Sequence, residues 1–199
     1  MDKLTLQNSA FVLVDYQNDF VDEKGSLCVK SADSMEATIN SLVELFLKKG
    51  VKCIATQDFH PSNHTSFAAS HSIPDFTEQD GEMKWPIHCV ANQWGSQLYQ
   101  RLDDKNYSKV VYKGTKANED AYSGFKGTDL DDYLTESAVR NLFIGGVATD
   151  FCVNHTALDG NALGYNVYIL SDIIKGVFPE NEEKIFDNWS TKGIVQLST

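Results

Sequence analysis

The chain has 199 residues, 42% hydrophobic and 23% charged, which suits one globular unit with a substantial core and argues against disorder. A formal net charge of −11 disfavours nucleic-acid binding, which needs a basic surface, and no basic run would hold the chain to an anionic membrane. No stretch approaches the ~20 apolar residues of a membrane span, and the opening MDKLTLQNSAFVLVDY lacks the basic start and apolar length of an export signal, so a cytoplasmic protein with Cys28, Cys53, Cys89 and Cys152 as reduced thiols is expected.

Residues 9–16, SAFVLVDY, form a continuous apolar run and predict a buried strand. Over 33–49, Ile39, Leu42, Val43, Phe46 and Leu47 recur at helical spacing, with Asp33 or Ser34 as the expected cap and Gly50 as the stop. VKCIATQ (51–57) predicts the next strand, and a loop-rich stretch then runs to about residue 92. WGSQLYQRL (94–102) predicts a short helix and KVVYKG (109–114) a third strand. A helix over 128–137, a strand over 139–148, a helix over 149–164 and a strand over 165–172 follow. The last pair is a helix over 179–193, opened by Pro179 and closed by Gly193, and a short strand IVQLS.

About six strands alternating with helices predict an α/β fold of three layers, α/β/α, around a central, mostly parallel sheet. The whole of 1–199 is expected to be one unit, with a loop-rich insertion at about 58–92. Sites in open parallel sheets collect beyond the carboxyl ends of the strands. Asp15 follows the first strand, QDFHPSNH the second, Lys113 ends the third, and GGVATDFC puts Cys152 in the first turn of a helix. An acid, a lysine and a cysteine on one rim make a base, a cation and a nucleophile around one crevice.

Cys152 at a helix N-terminus is expected to have a lowered thiol pKa, and the small residues before it let backbone N–H groups approach a ligand. Each residue has an ordinary alternative: an inert buried cysteine, a strand-end turn aspartate, a solvated lysine. Asp58 and His60 lie two apart and His88 lies across a long loop; three such ligands leave positions open at a metal for water or substrate. His64 could be a ligand, a partner of a ligand, or a surface residue; His71 reads as a loop residue and His155 as a helix-packing one.

DYQNDF, QDFHPSNHTSF, WPIHCVANQWGSQL, YKG followed by AYSGF, and GVATDFCV occur in one order from residue 9 to about 170, and in that order they resemble the nicotinamidases of the isochorismatase-like hydrolases. The resemblance implies hydrolysis of nicotinamide to nicotinic acid and ammonia in NAD salvage, with pyrazinamide as a side substrate. It implies a catalytic triad of Asp15, Lys113 and Cys152, oxyanion donors at the backbone N–H groups of Ala148 and Cys152, and a cis peptide between Val147 and Ala148. It also implies one divalent metal, zinc before iron or manganese, on Asp58, His60 and His88, where it would position the pyridine ring. Phe20, Leu27, Trp85 and Tyr122 are implied to line a slot for that ring; His64, four residues after His60, departs from the longer spacing of those relatives and stays a candidate extra ligand or support to one.

Other readings are set aside on sequence features. An isochorismatase or ureidoacrylate-type hydrolase would lack the full metal set. A ligand-binding relative without turnover would have lost a member of the triad. A zinc-stabilised interaction module would carry paired cysteines. A homo-oligomer is compatible with everything above.

Overall fold

The computed structural model describes residues 6–99 and 104–198. Among them, β1 (Ser9–Val14), β2 (Lys52–Asp58), β5 (Lys109–Lys113), β6 (Asn141–Val147), β7 (Asn166–Lys175) and β8 (Val195–Leu197) form one sheet in the order β5-β2-β1-β6-β7-β8. Every neighbouring pair in that sheet is parallel. All six residues of β1 are buried, as its unbroken apolar run requires of a strand covered on both faces.

Side chains alternate across the sheet. Phe11 and Leu13 of β1 point into a core with Ile39, Val43 and Phe46 of α2 (Glu36–Lys48). Ala10, Val12 and Val14 point the other way, into a core with Leu130 and Leu134 of α3 (Leu130–Glu136), Ala157 of α4 (Asn154–Ala162) and Trp189 of α5 (Glu182–Thr191). Two cores on opposite faces of one sheet are the expected three layers.

Several expectations are corrected. The helix at 94–102 is a single 3-10 turn, Trp94–Ser96; Gln97 is extended and Leu98 pairs with Gln17 as an antiparallel bridge, while residues 100–102 lie outside the described residues. Neither Asp33 nor Ser34 caps α2, because a 3-10 turn, Ala32–Met35, precedes it and the Ser34 hydroxyl donates to Ser31 O. The helix at 149–164 begins as a π turn, Thr149–Val153, before α4. The strand expected to end at 172 runs on to Lys175.

The loop-rich stretch also holds an antiparallel hairpin, β3 (Thr77–Gln79) with β4 (Glu82–Lys84), turned by Asp80 and Gly81, both at positive φ. The Asp-Gly pair was its legible signal, since that turn needs left-handed backbone at both central positions. A short helix, α1 (Asn18–Val21), follows β1. No helix among the described residues is long and apolar enough to cross a membrane. Cys28, Cys53, Cys89 and Cys152 are all free thiols.

Candidate active site

The chain order of the strands places the site. β1 leads to β2 on one side of it, and β6 returns on the other, so the crevice opens beside the carboxyl end of β1. Asp15 stands there with φ +47, a left-handed conformation unusual outside glycine, and its backbone N–H donates to Thr56 O at 3.2 Å. Asp58 and Lys113 are register partners at the ends of β2 and β5. Cys152 sits in the π turn that follows β6. The Val147–Ala148 peptide is cis, as expected.

Lys113 is the hub. Its Nζ lies 2.9 Å from Asp15 Oδ2, 2.5 Å from Asp58 Oδ1 and 3.4 Å from Cys152 Sγ, and it donates to Ala121 O at 3.0 Å. Its side chain is fully buried, which excludes a solvated surface lysine. One oxygen each of Asp15 and Asp58 and the Cys152 sulfur lie within 4.8 Å of one another. The structure thus brings together the three residues predicted for the triad.

The charges are set by burial and by one another. Burial works to lower the Lys113 pKa, but the Asp15 and Asp58 carboxylates hold it well above its ordinary value. Burial raises Asp15, with Lys113 and the Thr56 hydroxyl pulling against it; that hydroxyl donates to Asp15 Oδ1 at 2.6 Å. Burial would raise Asp58 too, but Lys113 and His60 hold its carboxyl well below the usual range.

Burial also pushes the Cys152 thiol well above its ordinary value, against the pull of Lys113. The expectation of a thiol lowered by a helix terminus is overturned. The turn is short and the sulfur is dry, so desolvation outweighs the backbone dipoles. Beside that thiol stands Asp15, a carboxyl whose own pKa burial raises.

Asp58, His60 and His88 form a second buried group, each offering one ligand atom within 4.8 Å of the others. Hydrogen bonds assign both ring tautomers. His60 Nδ1 donates to Gly114 O at 2.8 Å and His88 Nδ1 donates to Pro86 O at 2.7 Å, so each Nε2 keeps a free lone pair. Gly114 has φ +60, and a Cβ there would collide with the His60 ring.

The local charge also calls for a cation. Burial, and then His60, pushes the His88 pKa down to about 3, so that ring is neutral. Burial works against a charged His60 as well, yet the Asp58 carboxylate 3.5 Å from its Nε2 holds it above its ordinary value. The Asp58 carboxylate thus favours positive charge beside His60, which a metal would supply. Two imidazole nitrogens and one carboxylate oxygen are a donor set that fits zinc, iron or manganese.

His64 is not in that group. Its ring stacks on His60 with centroids 4.1 Å apart; Nδ1 accepts from Ser66 N at 3.2 Å, and Nε2 donates to Glu119 O at 3.2 Å. With both nitrogens engaged it packs behind a ligand. His71 Nε2 donates to Thr65 O in the loop. His155 differs from the expectation: it is exposed and stacks on Tyr122, centroids 5.2 Å apart, instead of packing inside the fold.

Phe20, Leu27, Trp85 and Tyr122 all line a cavity that reaches Asp58, His88, Ala148 and Cys152. Trp85 Nε1 donates to Tyr122 Oη at 3.0 Å, which sets two aromatic walls against each other. The cavity is therefore a largely apolar slot bordered by the Cys152 thiol and by Asp58 and His88.

Three residues with roles here went unassigned in the sequence. Gln17 grips the backbone of Asp58: its Oε1 accepts from Asp58 N at 2.8 Å and its Nε2 donates to Asp58 O, also at 2.8 Å, and to Ser96 O. Thr56 holds Asp15. Phe151 forms a further wall, edge-on to Trp85 at 4.8 Å. A hydroxyl directly after the apolar run 53–55 (Thr56) and an amide two residues past a strand-end acid (Gln17) were the available signals.

The sequence matches the Isochorismatase domain over residues 9–199. It is 38% identical over 196 residues to a nicotinamidase of Escherichia coli (strain K12), covering 92% of each chain. The crystal structure of the pyrazinamidase of Pyrococcus horikoshii in complex with zinc superposes with a TM-score of 0.85 at 36% identity, covering 96% of this chain and 99% of that one. PnC1 from L. infantum, in complex with nicotinate, superposes with a TM-score of 0.84 at 30% identity, covering 98% and 95%.

Proposed function

The chain belongs to the isochorismatase family, and from that premise we propose that it hydrolyses nicotinamide to nicotinic acid and ammonia. The observation that carries the reading is the convergence of a buried thiol, carboxyl and ammonium beside a His–His–Asp group that borders an aromatic slot. A flat heteroaromatic carboxamide matches that combination. Its ring suits the slot and its amide reaches the sulfur.

Zinc is the metal we assign to Asp58, His60 and His88, in keeping with the zinc complex of the P. horikoshii relative. When bound it supplies a Lewis-acid site that orients the ring beside the thiol.

The chain's own residues account for the bond changes. Asp15 takes the Cys152 proton, and the thiolate attacks the carboxamide carbon. The N–H groups of Ala148 and Cys152 are the donors assigned to the resulting oxyanion. The C–N bond breaks as Asp15 returns the proton to the leaving ammonia, leaving a thioester on Cys152. Asp15 then takes a proton from water, whose oxygen attacks the thioester carbon, and the C–S bond breaks to release nicotinic acid. That proton returns to the sulfur. Lys113 stays charged throughout and holds both carboxylates in place.

We read the 199 residues as one catalytic unit in which segment 58–92 carries the metal ligands and a slot wall. A reducing compartment such as the cytoplasm suits a thiol nucleophile with three further free cysteines. The direct test is ammonia release from nicotinamide and pyrazinamide, repeated after chelation and after zinc is returned. Turnover that chelation removes and zinc restores is expected. No release above background from nicotinamide would move the substrate elsewhere in the family, and full activity without metal would remove the positioning role.

A further inference from the structure

The segment after β7, Gly176–Phe178, belongs to no helix or strand, yet it forms part of the slot. Val177 lines the cavity together with Phe20, Leu27, His88 and Cys152. Phe178 stacks over Trp85, with centroids 6.5 Å apart and planes 25° from parallel, and meets Phe151 at 6.1 Å. Something must hold this irregular stretch against the aromatic wall.

Asp150 does so. Its Oδ1 accepts the Val177 N–H at 2.9 Å and its Oδ2 accepts the Phe178 N–H at 2.7 Å. A carboxylate that binds two successive amides makes charge-assisted bonds with little freedom to shift. The seat is tight: a Cβ at Gly176 would come within 3.3 Å of both Asp150 Oδ1 and Glu182 Oε1. Asp150 lies in the same π turn as Cys152. The distance from the Val177 wall to the nucleophile is therefore set by one short turn of chain, although Val177 is 27 residues from Asp150 in sequence.

We propose that Asp150 is a positioning residue that latches Gly176–Phe178 over the slot, and that Val177, held by this latch, limits the substituents a substrate ring can carry. The specificity half rests on the nicotinamide reading. The ligand class is then a flat six-membered heteroaromatic carboxamide, unsubstituted at the ring edge that meets Val177. One methyl group against a packed apolar wall changes discrimination by about 10- to 200-fold.

The test uses the full-length, zinc-loaded protein and four variants: Asp150→Ala, Asp150→Asn, Val177→Ala and Val177→Phe. Hydrogen exchange of the peptide spanning 176–178 reads the latch without any substrate. Asp150→Ala should speed exchange there by at least about tenfold, a local opening confined to that segment. Asp150→Asn keeps one acceptor oxygen and should fall between. Steady-state kinetics on nicotinamide and its four ring-methylated isomers read the wall. Val177→Ala should raise kcat/KM for at least one isomer relative to nicotinamide by about tenfold or more, and Val177→Phe should lower it. Asp150→Ala should relax the same isomer, with KM rising more than kcat falls.

Unchanged exchange in Asp150→Ala overturns the latch. Equal loss on all five amides in Val177→Ala overturns the wall. If the parent releases no ammonia from nicotinamide, the functional reading and the specificity half fall together, while the exchange comparison still decides the latch.

Discussion

Asp58 and Lys113 are the last register partners of β2 and β5, and their side chains close an ion pair of 2.5 Å inside the protein. The other carboxylate oxygen of Asp58 faces His60 Nε2 at 3.5 Å. One residue thus belongs to the candidate metal group and to the proposed catalytic cluster, and the two cannot be altered independently through it. Asp58→Asn should lower zinc affinity and turnover together, and saturating zinc should not restore turnover because Lys113 has lost a partner. His88→Ala removes a metal ligand and part of the slot wall but leaves the Asp58–Lys113 pair intact. Its turnover should recover in part as zinc is raised. Zinc titration followed by ammonia release separates the two; equal rescue of both variants would show that the Asp58–Lys113 pair is dispensable.

Lys113→Ala should cost stability as well as activity. The ammonium is fully buried between two buried carboxylates, and its removal leaves their charges unanswered. Breaking a buried pair from one side costs about 3–5 kcal/mol. Denaturant unfolding should show that loss at neutral pH. It should shrink as pH falls, because protonating Asp15, whose pKa burial already raises, relieves the repulsion. An unfolding midpoint equal to that of the parent would contradict the buried hub.

Cys152→Ala should retain zinc and fold but lose turnover by at least ~10⁴-fold, the scale seen when a covalent nucleophile is removed. Intact-mass measurement of the parent during turnover should show a nicotinoyl adduct on Cys152, absent from the variant. Ammonia release at the parent rate from Cys152→Ala would end the covalent scheme.

Thr56→Val should move the acid limb of kcat/KM to higher pH. Asp15 must be ionised to take the thiol proton, so activity falls as pH drops through its raised pKa. The Thr56 hydroxyl stabilises the ionised form by donating to Oδ1 at 2.6 Å. Without it the charged form is less favoured, the pKa rises further, and the limb shifts upward. A limb that stays in place, or moves down, would remove Asp15 from the base role.

Much of this was legible in one dimension because the governing physics is local or periodic. Continuous apolar runs marked β1 and β6 as buried strands, since only a strand covered on both faces tolerates them. Spacing at Ile39, Val43 and Phe46 marked α2. The site residues were legible because parallel strands deliver their carboxyl ends to one rim, so Asp15, Asp58 and Lys113 had to be neighbours once the sheet was parallel. The failures fall where a distant partner overrules local preference. The stretch after Trp94 has helical spacing, but Leu98 pairs with Gln17, and that bridge ends the turn.

By itself, then, the sequence determined the strand–helix alternation, the chemical types at the strand ends and the histidine spacing, because side-chain pattern dictates these directly. Only the tertiary structure decided that Lys113 is shared by two carboxylates and a thiol, that His64 turns both nitrogens away from the metal group, that Gln17 grips Asp58, and that Asp150 holds Val177 at the slot. The reason is physical. Those roles depend on distances of a few ångströms between residues tens of positions apart, and on the loss of water around them; no chain-local preference encodes either.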